Sequence, residues 1–299
     1  MGWRGVCGGC SLKTMRKIMP SAAISAALSW PEAQPRFAAP CFDAIRAQLD
    51  ELGSAAWPTV GELNRLAARH GLGNHAGLPI QFIAPRGDES TAMHYETRIA
   101  QTGCVATREI WHDLFNALQW LSFPKSKATI SAAHARLLAA RGERESKARS
   151  VPRDVLTLFD EGGLVICSAD AALLDLVRTF KWRTLFVERR ADALANMRFY
   201  LAGHSVLEKM LAPFIGITAK AMLVEVEPDF VQSTAEAQLV QADALAAQWL
   251  QDETNLRSTR NLHPVPILGI PGWDARNEAP AFYDDRHYFR AGYTRDEKR

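Results

Sequence analysis

The chain has 299 residues, 47% hydrophobic and 23% charged, with a formal net charge of +2. This composition excludes wholesale disorder, suffices for one large core or two packed lobes, and gives no overall field of the kind that draws a protein to nucleic acid or acidic lipid. Five cysteines scattered from Cys7 to Cys167 do not make a secreted disulfide framework, and no run of about eighteen apolar residues is present, so a reducing, cytoplasmic setting without a membrane span is expected.

Residues 1–30 read as a disordered basic extension. Arg4, Lys13, Arg16 and Lys17 precede an Ala/Ser stretch too weak for a secretory signal, and Cys7-Gly8-Gly9-Cys10 lacks the second pair that a zinc site needs. Helical spacing begins with Phe42, Ile45 and Leu49 and stops at Gly53. A second helix is framed by a Thr59/Glu62 capping box, a stripe of Leu63, Leu66 and Ala67, and a C-terminal Gly71. The glycines from Gly71 to Gly77 follow a helix at the wrong spacing for a dinucleotide loop.

Strands are expected at 78–83 and 94–105, then a helix over 108–122 whose Trp111, Leu114, Phe115, Leu118 and Leu121 form one apolar face. Pro124 separates it from a helix over 125–140, and the charged stretch 141–150 is expected to be mobile. Residues 155–159 and 164–167 read as a hairpin about Asp160-Glu161-Gly162-Gly163. Helices follow at 171–180, 192–201 and 205–211, a strand at 220–226 and a long helix at 234–250. A Pro, Gly and aromatic segment from His263 wraps the core, and 293–299 form a polar tail. The fold class is therefore α+β, predominantly helical with short antiparallel hairpins and a single large core, in one domain spanning 31–292.

Two segments carry candidate chemistry. On a helix His112 and Asn116 project side by side with Asp113 one step round, a face that can hold a divalent cation or orient a water. The bland alternative is the solvated side of an amphipathic helix. His204 and Glu208 are likewise one turn apart, a pairing that suits zinc or manganese without the H-E-x-x-H signature, and its alternative is a surface ion pair. Read differently, 197–202 is a strand and Ser205 the nucleophile of an elbow, with Leu207 where the second glycine belongs. Asp160 and Glu161 on a turn tip attract metal in principle, but an ordinary polar turn explains them equally. From Lys125 to Arg153 eight basic residues face two acids, so Lys125 and Lys127 are candidates to neutralise a substrate anion. No interleaved aromatics support nucleic-acid stacking.

The motifs Tyr95-Glu96-x-Arg98, Trp111 to Leu118, Phe123-Pro124-x-x-Lys127, Leu158-Phe159-Asp160-Glu161, Gly203-His204 with Glu208-Lys209, and Leu268 to Trp273 together resemble an uncharacterised bacterial family, domain of unknown function three-zero-two-five. The resemblance runs from about residue 35 to 292. It implies a single folded unit with an atypical extension in front of it, and carries no activity with it.

Three functions compete on these residues. The first is a hydrolase, divalent-metal-dependent, acting on a phosphate-bearing small molecule: His112, Asp113, His204 and Glu208 hold metal or act as acid and base, Asn116 orients, and Lys125 and Lys127 bind the anion. The second is a non-catalytic binding or scaffolding protein in which the same polar residues fix helix packing. The third is a serine hydrolase using Ser205. Convergence of His112, His204 and Glu208 separates the first from the others.

Overall fold

The computed structural model describes residues 28–85, 94–141 and 150–292, so the expectations for 1–27, for most of the charged stretch at 141–150 and for the polar tail lie outside the described residues. The core begins earlier than Phe42. Trp30 opens a single helical turn, Trp30–Ala33, and is only 2% exposed. It packs within an aromatic cluster of Phe37, Phe42, Trp57, Trp111 and Phe115, with its ring stacked 5.7 Å from that of Trp111. The indole of Trp111 donates to the Leu28 carbonyl, so residues read as an extension are tied to the centre of the molecule.

The first helices follow the capping and periodicity signals. A 3-10 turn, Pro40–Ile45, leads into α1 (Arg46–Leu52). In α2 (Val60–Arg69) Thr59 accepts from the Glu62 amide and the Glu62 carboxylate accepts from the Thr59 amide. A short parallel pair joins β1 (Gln81–Ile83) to β2 (Cys104–Ala106). Between them the expected strand at 94–105 is instead α3 (Tyr95–Thr102), because Gly103, in the left-handed region at φ +71, ends a helical turn and releases an extended chain only from Cys104.

Two long helices follow, α4 (Trp111–Ser122) and α5 (Pro124–Arg141). The expected hairpin at 155–167 is corrected: α6 (Val151–Gly162) runs directly into β3 (Gly163–Ser168). Pro152 in the first turn pre-sets the helical φ, and Val155, Leu156 and Phe159 bury one helical face. Next come α7 (Ala171–Arg178) and α8 (Arg190–Asn196). The expected helix at 192–201 gives way at Met197 to β4 (Met197–Leu201), followed by α9 (His204–Met210), β5 (Thr218–Glu225), α10 (Ala235–Gln251) and β6 (His263–Pro266).

The main sheet has the order β4-β3-β5-β6, with β3 and β5 parallel and both outer pairs antiparallel. Its antiparallel neighbours are not tight hairpins, since α7 and α8 lie between β3 and β4. Every residue of β3 is buried, Leu164 and Ile166 facing one apolar layer and Val165 and Cys167 the other. The result is α+β and mostly helical, with two packed layers about one central strand. No helix among the described residues is long and apolar enough to cross a membrane.

Candidate metal centre

The helix α4 lies inside the molecule rather than on it. Asp113, Asn116 and Gln119, read as a possible solvated side, are all buried, and Gln119 donates to the Leu201 carbonyl at 3.1 Å. Only His112 reaches outward, with its side chain 36% exposed.

The distant His204 comes to it through a close approach of main chains. A Cβ on Gly203 would lie 2.4 Å from the Gly163 nitrogen and 2.5 Å from the Gly162 Cα, and the Gly203 amide donates to the Gly163 carbonyl. Only glycine allows this contact. It presses the start of α9 against the junction of α6 and β3, and so seats His204 beside Asp160 and Glu161 at the end of α6.

The two imidazoles meet edge to face, Nε2 of His204 being 3.2 Å from Nε2 of His112. A carboxylate oxygen of Glu161 lies 3.6 Å from the same His204 nitrogen, and the three side chains offer ligand atoms all within 4.8 Å of one another. Each imidazole also turns its other nitrogen to a carboxylate: Nδ1 of His112 is 3.5 Å from Glu208, and the buried Nδ1 of His204 faces Asp160 at 3.8 Å. Metal-bound histidines are oriented in this way, one nitrogen on the ion and the other toward an acid. Bonds of about 2.05 Å from one ion to two nitrogens this far apart enclose about 100°, near the tetrahedral value.

Electrostatics divides the pair. The Glu208 carboxylate holds the His112 imidazolium above its ordinary range, with burial opposing. Burial pushes His204 down to about 4, against the pull of Asp160. One proton shared along the Nε2 to Nε2 contact, carried by His112, suits both shifts, and a divalent cation would take its place. Burial raises the Glu161 carboxyl. It also works against ionisation of Asp160, but the Lys127 ammonium and His204 outweigh it and hold that acid below its usual range.

Behind the pair runs a polar chain. Lys127 Nζ donates to Asp160 at 2.5 Å and to Asn116 at 2.7 Å, and Asn116 in turn donates to the Tyr95 hydroxyl at 3.0 Å. Glu96, next in sequence, is pushed up to about 7 by burial and by the Asp160 charge.

The structure thus brings together His112, His204 and Glu208 as expected, and adds Glu161 and Asp160. It leaves out two residues. Asp113 accepts from the Arg108 amide at 2.9 Å and from its guanidinium at 2.8 and 3.0 Å, and so ties the chain ahead of α4 to its first turn and pairs with Arg108. At the start of α5 the Lys125 amide donates to Asp243, and the Lys125 side chain lines a separate cleft with His70, Asn74 and Gln248. Lys127 and Asn116 sit in the chain behind the histidines rather than on an open anion site. Ser205 follows a strand, as the elbow reading needs. However, Phe180 is the one described non-glycine residue with positive φ, and Ser205 makes no hydrogen bond to either histidine among the described residues. Glu161 is the carboxylate that sequence reasoning sets on a turn tip; its place in the Leu158-Phe159-Asp160-Glu161 motif is the signal for it.

No curated protein and no solved structure matches the chain. The family described as protein of unknown function (DUF3025) matches over residues 80–293, a span that holds both histidines and all the acids around them, and the chain belongs to that family.

Proposed function

We propose that the protein is a divalent-metal-dependent hydrolase in which Nε2 of His112, Nε2 of His204 and the Glu161 carboxylate hold the cation. The observation that carries this reading is the meeting of two imidazole nitrogens from α4 and α9 at 3.2 Å, each ring backed by an acid on its far side. Two histidines and one carboxylate leave at least one coordination position open, which suits a cation that activates water and polarises a carbonyl or phosphoryl oxygen. Zinc or manganese fits the ligand types. His112, Glu161 and Glu208 are all partly exposed, so a small-molecule substrate has access from solvent. A cytoplasmic location belongs to the same proposal, supported by Cys41, Cys104 and Cys167 being unpaired.

Elemental analysis of protein purified without chelator tests it directly. About one equivalent of transition metal is expected in the wild type, with loss in His112→Ala and His204→Ala and weaker retention in Glu161→Gln. Absence of metal from the wild type, together with failure of added zinc or manganese to bind, refutes the reading.

A second reading, a purely structural polar network, is favoured by the Tyr95, Asn116, Lys127 and Asp160 chain, whose donors and acceptors are matched without any ligand. It predicts large stability losses in His112→Ala and no bound metal.

A further inference from the structure

The cleft that Lys125 lines lies where the loop after α2 meets α5 and α10. Residues 70–75, the first turns of α5 and the second half of α10 enclose about 580 Å³, within the range of about 300–1,000 Å³ that small-molecule sites occupy. The space exists because the two helices, which pack along each other, meet there through alanines: Ala128 from α5, Ala244 and Ala247 from α10. Leu72 and Pro124 complete an apolar lining. Polar groups from all three elements border it. The side chains of His75, Lys125, Gln248 and Gln251 make no hydrogen bond or ion pair with a described residue. Thr129 is the sharpest case. It is only 7% exposed, yet its hydroxyl has no hydrogen-bond partner among the described residues, and the cleft is the space it borders. No aspartate or glutamate lines the cleft. Two acids beside its walls are committed elsewhere: Glu51 pairs with Arg69 and faces His70 at 3.6 Å, and the two oxygens of Asp243 accept the Lys125 and Ser126 amides. The loop is fixed in advance of any ligand. Buried Asn74 accepts the Ala76 and Leu78 amides at 2.9 and 3.0 Å and donates to the Ile99 and Ala100 carbonyls at 2.9 and 3.0 Å.

We propose that this cleft binds a small organic anion, an oxyanion head of phosphate or carboxylate type on an apolar body. Lys125 and Thr129 stand one turn apart on the same face of α5, so an ammonium and a hydroxyl donate to one head, and His75 adds a donor from the fixed loop. A cationic ligand would find no acid to meet it. The alanines and Leu72 take the apolar body, and Gln248 and Gln251, three residues apart on α10, offer carboxamides to any polar edge it carries. Lys125 and Lys127 are about 200° apart round their helix, which is why one borders the cleft and the other meets Asp160. The cleft is therefore distinct from the histidine pair and does not rest on the metal reading.

Calorimetric titration of the full chain with phenyl phosphate tests the proposal. Inorganic phosphate, phenol and benzylamine serve as the head alone, the body alone and a body of opposite charge. Phenyl phosphate is expected to bind saturably and more tightly than any of the three. Lys125→Met, at an exposed position, is expected to keep the wild-type Tm and to weaken phenyl phosphate about tenfold or more, as loss of a charge-assisted hydrogen bond does, while leaving phenol unchanged. Ala244→Trp fills the cleft and is expected to weaken phenyl phosphate and phenol alike. Glu161→Gln, at the histidine pair, is expected to bind phenyl phosphate as the wild type does. Benzoate separates the two heads: affinity equal to or above that of phenyl phosphate marks a carboxylate site, and lower affinity marks a phosphoryl site. Absence of saturable binding overturns the proposal, as does benzylamine or inorganic phosphate binding as tightly as phenyl phosphate. Affinity unchanged in Lys125→Met, or lost in Glu161→Gln, overturns it too, since the ligand would then sit elsewhere.

Discussion

Replacing Lys127 by methionine probes the most deeply buried lysine–carboxylate pair among the described residues. Lys127 and Asp160 have side chains only 7% and 14% exposed, their charged atoms are 2.5 Å apart, and the ammonium also lies 5.7 Å from the Trp120 ring centroid. At an effective dielectric constant of 20, unit charges at that separation attract by about 7 kcal/mol. Removal of water from both ions cancels much of this, so the pair as a whole contributes little. Breaking it is another matter. Lys127→Met leaves the Asp160 carboxylate buried beside His204 with no cation, and a loss of about 3–5 kcal/mol is expected; Asp160→Asn strands the ammonium with a similar loss. The double variant removes both charges and is expected within about 2 kcal/mol of wild type, so the coupling energy is several kcal/mol. Urea unfolding at pH 7, followed by tryptophan fluorescence with chelator present, measures all four corners of the cycle. Additive losses, or a coupling below about 1 kcal/mol, would show that water reaches the pair and that Asp160 is not held in place by Lys127.

Other outcomes follow from the same geometry. Glu96, raised from 4.5 to about 7, keeps its proton in the folded state where the unfolded chain has lost it, so its contribution to stability falls as pH rises from 4.5 to 7. Glu96→Gln is therefore expected to exceed the wild type by up to about 2–3 kcal/mol at pH 8 and to match it near pH 4, as read from urea midpoints at both pH values. His204 gives the opposite slope, losing stability as pH falls from 6.5 to about 4, so these two groups offset each other in the wild type and the variant exposes the difference. A cation must displace the proton on His112, so zinc affinity, measured by chelator competition, is expected to fall about tenfold per unit as pH drops below the raised pKa of that residue. Glu208→Gln moves the onset of this fall to lower pH while lowering affinity at pH 8 by about 10- to 100-fold; an unchanged profile would remove Glu208 from any role behind His112. Gly203→Ala places a methyl against the main chain of Gly162 and Gly163, and a loss of about 3 kcal/mol or more in thermal or urea unfolding is expected.

What the sequence disclosed depended on how local the determining interaction was. The Thr59/Glu62 capping box and the apolar stripe on Trp111 to Leu121 act within one or two turns, and both helices lie where those signals put them. The stretch from Val155 to Cys167 has apolar residues compatible with either period, and Asp-Glu-Gly-Gly serves a helix end leading straight into a strand as well as a reverse turn. The parallel pairing of β3 with β5 leaves no local trace, since its partners are more than fifty residues apart in the chain. At the site, His112 and His204 were readable as residue types with few other uses. Asp113 and Lys125 lie outside the cluster because each answers a nearby demand: Arg108 for the carboxylate, Asp243 for the amide at the start of α5. Glu161 escaped because its position follows from the glycine contact between α6 and α9, which only the fold creates.

That contact has a mechanical consequence. The approach of α9 to the junction of α6 and β3 is measured out by main-chain atoms of Gly162, Gly163 and Gly203, which have no rotamers to exchange. Warming the protein therefore loosens side chains at the rim long before it parts α9, with His204, from the end of α6. Any ion seated there will be released as the sheet itself comes apart, so its departure and the collapse of the fold will register as a single event.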